Sequence, residues 1–177
     1  SARYSPNKSK NTKDLDRTIN FDNIFALDRI GEKDMVEEGQ SVTLGVEYSK
    51  KDLKNNDFLD LSLATVFRDK RIDDLPEKST IGNKKSNIVG NFNYRPSKFF
   101  NLEYEFSLSN NLKRSDYNLV KTNFNINNFV TSFEFLEEDN VVGNKSYIVN
   151  KSTLIFGENN SISFKTNKNL DKNITEY

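Results

Sequence analysis

Glu103 and Glu105 stand two apart in the segment FNLEYEFSL, so on an extended chain both carboxylates project from the same side. Paired carboxylates are the working parts of a glycosidase, one acting as acid and the other as base or nucleophile. That geometry draws its two groups from different elements across a sugar cleft, and nothing else in the sequence forms one. Asp69, Asp73, Asp74 and Glu77 offer oxygen ligands to a divalent cation, but their spacing follows no calcium-loop pattern, and a solvated acidic loop is the simpler reading. Cysteine and histidine are both absent, which removes thiol nucleophiles, imidazole bases and the commonest transition-metal ligands together. The expectation is a protein without cofactor or catalytic chemistry.

The carboxylates sit in segments that alternate strictly. In FLDLSLATVFR, Leu59, Leu61, Leu63 and Phe67 point one way while Asp60, Ser62, Ala64 and Arg68 point the other. The same period places strands near 41–49, 58–68, 86–95, 99–109, 116–126, 129–137, 146–156 and 160–167, with a ninth starting near Asn173. No segment carries a helical stripe with caps, so the fold class is all-β. Residues 1–40 read as a loop or arm. Low hydropathy with abundant Asn and Lys points toward disorder, but 14 Phe and 7 Tyr at alternating positions favour sheet.

On the polar side the strands gather Glu47, Asp60, Ser62, Asn91, Asn93, Glu103, Glu105, Lys121, Asn123 and Glu134. Both signs of charge suit a hydrated lumen, and equally the solvated face of a soluble sheet. Connection lengths discriminate better. Short turns (95–98, 127–128, 157–159) alternate with longer links (69–85, 110–115, 138–145, 168–172), the pattern of an outer-membrane barrel with tight periplasmic turns and long external loops. On that logic 69–85 is extracellular. Tyr48, Phe58, Tyr94, Phe99, Phe100, Phe129 and Phe156 form one expected aromatic belt, and Phe67, Phe106, Tyr117, Phe135 and Tyr147 the other, with Leu44, Val46, Leu61, Leu63, Ile88 and Leu102 between. Strand 146–156 fits poorly: placing Ile148, Leu154 and Phe156 outward also exposes Asn150 and Ser152, and a register-switching bulge is the expected remedy. Net charge is zero with basic residues scattered, so nucleic acid is not an expected partner.

The words of the stretch from Asn23 to Arg95 add a resemblance. Asn23, Phe25, Leu27, Arg29, Asp34, Val36, Glu37, Gly39, Gly45 and Tyr48, followed by Phe67-Arg68, Leu75-Pro76, Ser79 and the strand opening Ser86, Ile88, Val89, Gly90, resemble the barrel of the LPS-assembly protein family LptD, also called organic solvent tolerance protein. Departures fall at Gly31-Glu32, Met35, Glu38 and Ser41. The resemblance implies an antiparallel up-and-down meander, a segment of a large transmembrane β-barrel in the cell outer membrane. It further implies a translocon that takes lipopolysaccharide from a periplasmic bridge and releases it into the outer leaflet, with an LptE-like plug lipoprotein inside the barrel. Asn23, Phe25, Arg29, Asp34, Glu37 and Gly39 carry the family's loop motif. With no initiator Met or signal peptide, and with the strand-like ITEY at its end, the chain reads as a fragment of one barrel domain. A barrel sharing only architecture, such as a porin, and a soluble β-sandwich binding module remain open at this point.

Overall fold

The computed structural model describes residues 1–31, 36–139, 144–156, 160–172 and 174–176. Among the described residues ten strands make one sheet: β1 (Ala2–Ser5), β2 (Gly39–Lys51), β3 (Asp57–Arg68), β4 (Ile88–Ser97), β5 (Phe100–Leu108), β6 (Ser115–Ile126), β7 (Phe129–Glu138), β8 (Lys145–Phe156), β9 (Asn160–Asn169) and β10 (Ile174–Glu176). Their spatial order is their sequence order, and every neighbour is antiparallel, so the fold is a pure meander. The sheet is open, with β1 and β10 as its edges. Among the described residues no helix is long and apolar enough to cross a membrane, which leaves crossing by strands untouched. Asp34, Met35, the turn 157–159, Asn173 and Tyr177 lie outside the described residues.

Turn chemistry explains where the strands reverse. Between β2 and β3 the Asp52 carboxylate accepts the backbone N–H groups of Lys54 at 2.7 Å and Asn56 at 2.9 Å, and Asn55 takes the left-handed φ of 65° that asparagine tolerates. Between β6 and β7 only Asn127 and Asn128 intervene, again with a positive φ, 53°, at Asn127. Gly39 opens β2 at φ 78°, where a side chain would be strained.

Register divides the sheet into two faces. On one, Leu61 lies opposite Tyr48 and Phe92, Phe92 opposite Tyr104, Tyr104 opposite Val120, Val120 opposite Phe135, and Phe135 opposite Ile148. Much of this face is exposed, including Val42, Leu44, Val46, Tyr48, Phe133, Leu154, Ile162 and Phe164. The other face is covered at one end. There residues 6–31 and the link 69–87 fold back over β2–β4, burying Ile19, Ile24, Ile30, Ile72, Leu75 and Ile81 against Ala64, Val66 and Val89. The usual inside and outside of a soluble sheet are thus reversed: apolar side chains of the strands face outward, and the polar face carries the small core.

Three details differ from the reading of the sequence. β1 lies within the arm 1–40, because Ala2–Ser5 pairs with Val42–Gly39 and the first turn of the arm hangs from the sheet edge. Tyr117 and Tyr147 leave the outer belt. Opposite Glu138 and Leu136 respectively they share the polar face, and the Tyr147 hydroxyl donates to Glu134 Oε1 at 3.1 Å. Finally, β8 pairs with β7 without a register shift, so no bulge rescues Asn150 and Ser152. Instead they satisfy one another. Asn150 Nδ2 donates to Thr131 Oγ1 at 3.1 Å and to the Ser132 carbonyl at 3.0 Å, Ser152 Oγ donates to Asn150 Oδ1 at 3.2 Å, and the Thr131 and Ser152 hydroxyls lie 2.8 Å apart. A closed hydrogen-bond ring lets polar side chains sit on an apolar face without unpaired donors.

Candidate functional site

The polar face is built as rows of facing side chains. Register sets Asp60 opposite Asn93, Asn93 opposite Glu103, Glu103 opposite Lys121, and Lys121 opposite Glu134, so carboxylate, ammonium and carboxylate alternate across β5, β6 and β7. A second row joins Glu47, Ser62, Asn91 and Glu105. Asn123 faces Asn101 and Ser132 in a third. All ten polar residues singled out in the sequence therefore share one face. Glu103 and Glu105 remain neighbours on one strand rather than facing each other across a cleft, and Glu103 accepts a 2.7 Å hydrogen bond from Asn101. The loop carboxylates do not converge either: Arg71 holds Asp73 at 2.6 Å and Lys13 lies 3.8 Å from Glu77. Among the described residues no group of three His, Cys, Asp or Glu is placed to hold a metal.

Where the arm meets the sheet, the motif residues come together around one carboxylate. Glu37 accepts from the guanidinium groups of both Arg29 and Arg68, each with a fully buried side chain. Arg29 Nε reaches Glu37 Oε2 at 2.9 Å, while its Nη atoms donate to Thr43 Oγ1 at 3.1 Å and Ser41 Oγ at 3.0 Å on β2. Arg68 spends its remaining donors on the Ile81 carbonyl at 2.5 Å and the Glu38 carbonyl at 2.9 Å. Arg3 of β1 adds a third cation, its Nη1 3.8 Å from Glu37 Oε2 and 2.9 Å from the Leu27 carbonyl. One carboxylate thus ties β1, the arm, β2, β3 and the 69–87 link into a single knot. Buried charges persist when paired and hydrogen-bonded, which these partners provide for Arg29 and Arg68, whereas the buried Nε of Arg3 has no hydrogen-bond partner.

The other motif residues shape the same region. Phe25 lies directly on the backbone of Gly45, where an added Cβ would stand 2.5 Å from its Cζ, and its ring meets Phe21 edge-on at 5.7 Å. Asn23 and Asn20 exchange hydrogen bonds at 3.0 Å from backbone N–H to side-chain oxygen and fix the turn that presents Phe25. Ile19, Ile24, Ile30, Ile72 and Ile81, to which the sequence assigned no role, form the apolar cement with Leu75; their only signal is that isoleucine recurs in segments otherwise polar.

Beneath the arm and the link lies a cavity of about 580 Å³, bounded by Ile19, Phe21, Leu75, Glu105, Tyr117 and Glu138 among others. Its rim is closed by Lys78, whose ammonium stands 2.6 Å from both Asp16 of the arm and Glu138 of β7. Burial disfavours that charge, but the hydrogen bonds to the two carboxylates more than offset it and hold the Lys78 pKa above the ordinary lysine value. The same hydrogen bond holds the Asp16 carboxyl below the usual range. A lowered carboxyl contributes stability above its ordinary pKa and loses it as pH falls through the lowered one. A raised ammonium contributes below its ordinary pKa and loses it as pH rises through the raised one. The clasp is therefore expected to hold from about pH 5 to about pH 9. Lys78→Met, which leaves Glu138 buried without its partner, is expected to free the arm at a cost of about 1–3 kcal/mol. Proteolysis at Lys13 in the intact protein within that range reads the substitution, and hydrogen exchange of the arm's amides followed beyond either end of it reads the loss of the clasp with pH.

A sheet of sequential antiparallel strands, outwardly apolar, polar within and capped on its polar face by its own long connections, defines a segment of the outer-membrane β-barrel class. Its sequence agrees at a finer level: the model of the family LptD, LPS transport system D, matches residues 3–167. The chain belongs to that family, a component of LPS transport at the outer membrane. No individual curated protein matches the chain.

Proposed function

We propose that this chain is part of the wall of the outer-membrane translocon that inserts lipopolysaccharide into the outer leaflet, a fragment of one barrel domain. The exposed face bearing Leu61, Phe92 and Tyr104 meets the hydrocarbon, and the rows containing Glu103, Glu105, Lys121 and Glu134 line the lumen. Lipopolysaccharide supplied by a periplasmic bridge moves its sugars and phosphates past these polar rows, and an LptE-like plug lipoprotein occupies the same interior. The observation that carries this function is the family match over 3–167, joined to a sheet whose apolar side is the exposed one. A porin would share the architecture but not the family, and a β-sandwich would cover its apolar face with a second sheet, where this chain has a single meander.

The work asked of the wall is physical. A polar lumen keeps the charged head hydrated, while burial of the acyl chains in the leaflet drives release by about 0.8 kcal/mol per methylene. A photo-reactive residue placed at Glu105 or Lys121 in the full-length protein tests the assignment in cells. Illumination is expected to attach lipopolysaccharide, or the plug lipoprotein, at these positions, and no plug lipoprotein at Phe92. Correct assembly with no lipopolysaccharide adduct at any polar-face position would refute the role.

A further inference from the structure

The short-turn end of the outer face combines three features that the translocon role does not use. The first is a chain of rings: Phe58 meets Tyr94 at 5.3 Å, Tyr94 meets Phe100 at 6.5 Å, and Phe100 meets Phe124 at 5.0 Å, spanning β3 to β6. The second is a set of lysines set against that band. Lys50, opposite Leu59 and hence on the apolar side, lies 5.5 Å from the Phe58 ring centre, and Lys98 lies 5.1 Å from that of Phe99. Lys54 extends this charge into the β2–β3 turn, and Lys51, one residue beyond Lys50 and so rooted on the polar side, adds to it at the strand end. The third is Leu53, fully exposed at the tip of that turn between Lys51 and Lys54.

Local acids do little to neutralise this rim. Asp52 is turned into its own loop, where the Asn56 side chain also binds it at 3.0 Å, and Asp57 pairs loosely with Lys51 at 3.9 Å. At the opposite margin Lys85 also covers a ring, Phe67, at 5.8 Å, but there the neighbouring link mixes Asp69, Asp73, Asp74 and Glu77 with Lys70, Arg71 and Lys78, and Arg71 and Lys78 are held by carboxylates at 2.6 Å. Aromatic rings settle at the depth of the headgroups, and lysines rooted beside them reach the phosphates. Lys50 and Lys98, each set against a ring, therefore stand at the depth where one leaflet's headgroups lie.

We propose that Lys50, Lys51, Lys54 and Lys98, with Leu53 and the ring chain, form a binding rim for anionic phospholipid headgroups in the leaflet at the short-turn end. This rests on the reading that the apolar face meets lipid. Each lysine near an anionic surface strengthens association by about 1 kcal/mol, roughly fivefold, and the effect fades as salt shortens the screening length.

The test uses the full-length protein reconstituted in phosphatidylcholine vesicles containing traces of spin-labelled phosphatidylglycerol, phosphatidylcholine or lipopolysaccharide. The fraction of each label held immobile at the protein gives its relative affinity. Phosphatidylglycerol is expected to be favoured severalfold over phosphatidylcholine, and this preference is expected to drop at least threefold, roughly, in the K50Q/K51Q/K54Q/K98Q variant. K84Q/K85Q/K113Q, at the other end, is expected to leave it unchanged. A preference untouched by the first variant, or abolished by the second, overturns the proposal. So does a first variant that loses affinity for lipopolysaccharide alone. If no label of any headgroup is immobilised, the membrane reading itself fails, and the rim with it.

Discussion

Glu37→Ala is expected to destabilise the arm by about 3–5 kcal/mol, because it leaves two guanidinium groups buried without their shared carboxylate. Arg29 and Arg68 would keep the carbonyl and hydroxyl partners they already have, but these supply dipoles rather than a compensating charge. The damage should not stay local. Glu37 joins β1, the arm, β2, β3 and the 69–87 link, so its loss should uncover the isoleucine cluster on the polar face. In the full-length protein this appears as rapid cleavage at Arg17 and Lys13 and as unfolding at lower urea concentration. Replacing Glu37, Arg29 and Arg68 together by apolar residues of matching size, Glu37→Met with Arg29→Leu and Arg68→Met, should restore much of the loss, since a buried ion network is costly chiefly when broken and Arg3, the less buried third cation, keeps its carbonyl partners. Wild-type resistance in Glu37→Ala would mean that the knot contributes little.

The second large effect lies on the other face. Leu61→Arg is expected to block stable assembly in the outer membrane, since an arginine at mid-depth on a lipid-facing strand costs about 2–4 kcal/mol. Phe92→Arg, directly opposite it in register, should do the same. Ser62→Arg, one residue along, makes the control. Its side chain enters the polar face opposite Glu47, where a cation finds a carboxylate rather than hydrocarbon. The measurement is the amount of folded, heat-modifiable protein in outer-membrane fractions. Failure of the first two with tolerance of the third is the signature of period-two burial in lipid. Equal tolerance of all three would show that the exposed apolar face meets water or another protein.

Period-two alternation is a local property, and it survived into the structure strand by strand. Leu61 and Ser62 differ in face because one peptide unit separates them, whatever surrounds the sheet. The aromatic belts were harder to read, because nearness to a strand end says nothing of face. Tyr117 and Tyr147 sit close to the long-loop ends, yet their parity sets them beside Glu138 and Glu134. On β8 the residue types alone suggested a bulge, since hydrophobicity counts Asn150 and Ser152 as misplaced wherever they stand alone. Only their neighbour across the ladder, Thr131, makes them acceptable there.

By itself the sequence determined the strands from β2 onward, their order of reversal, the family, and the division of side chains between two faces, because each depends on residues near one another in the chain, whereas β1 went unread inside the arm. Tertiary structure alone decided what covers the polar face. Ile24 and Ile81 stand tens of residues apart in segments without period, as does Arg29 from Arg68 of β3, and no local pattern announces that they will meet. Their contact is set by where the arm and the 69–87 link can bury isoleucine against Ala64, Val66 and Val89 while giving Glu37 to two buried cations. Burial and charge pairing between distant segments are properties of the closed structure, and they come into being only when the sheet is there to receive them.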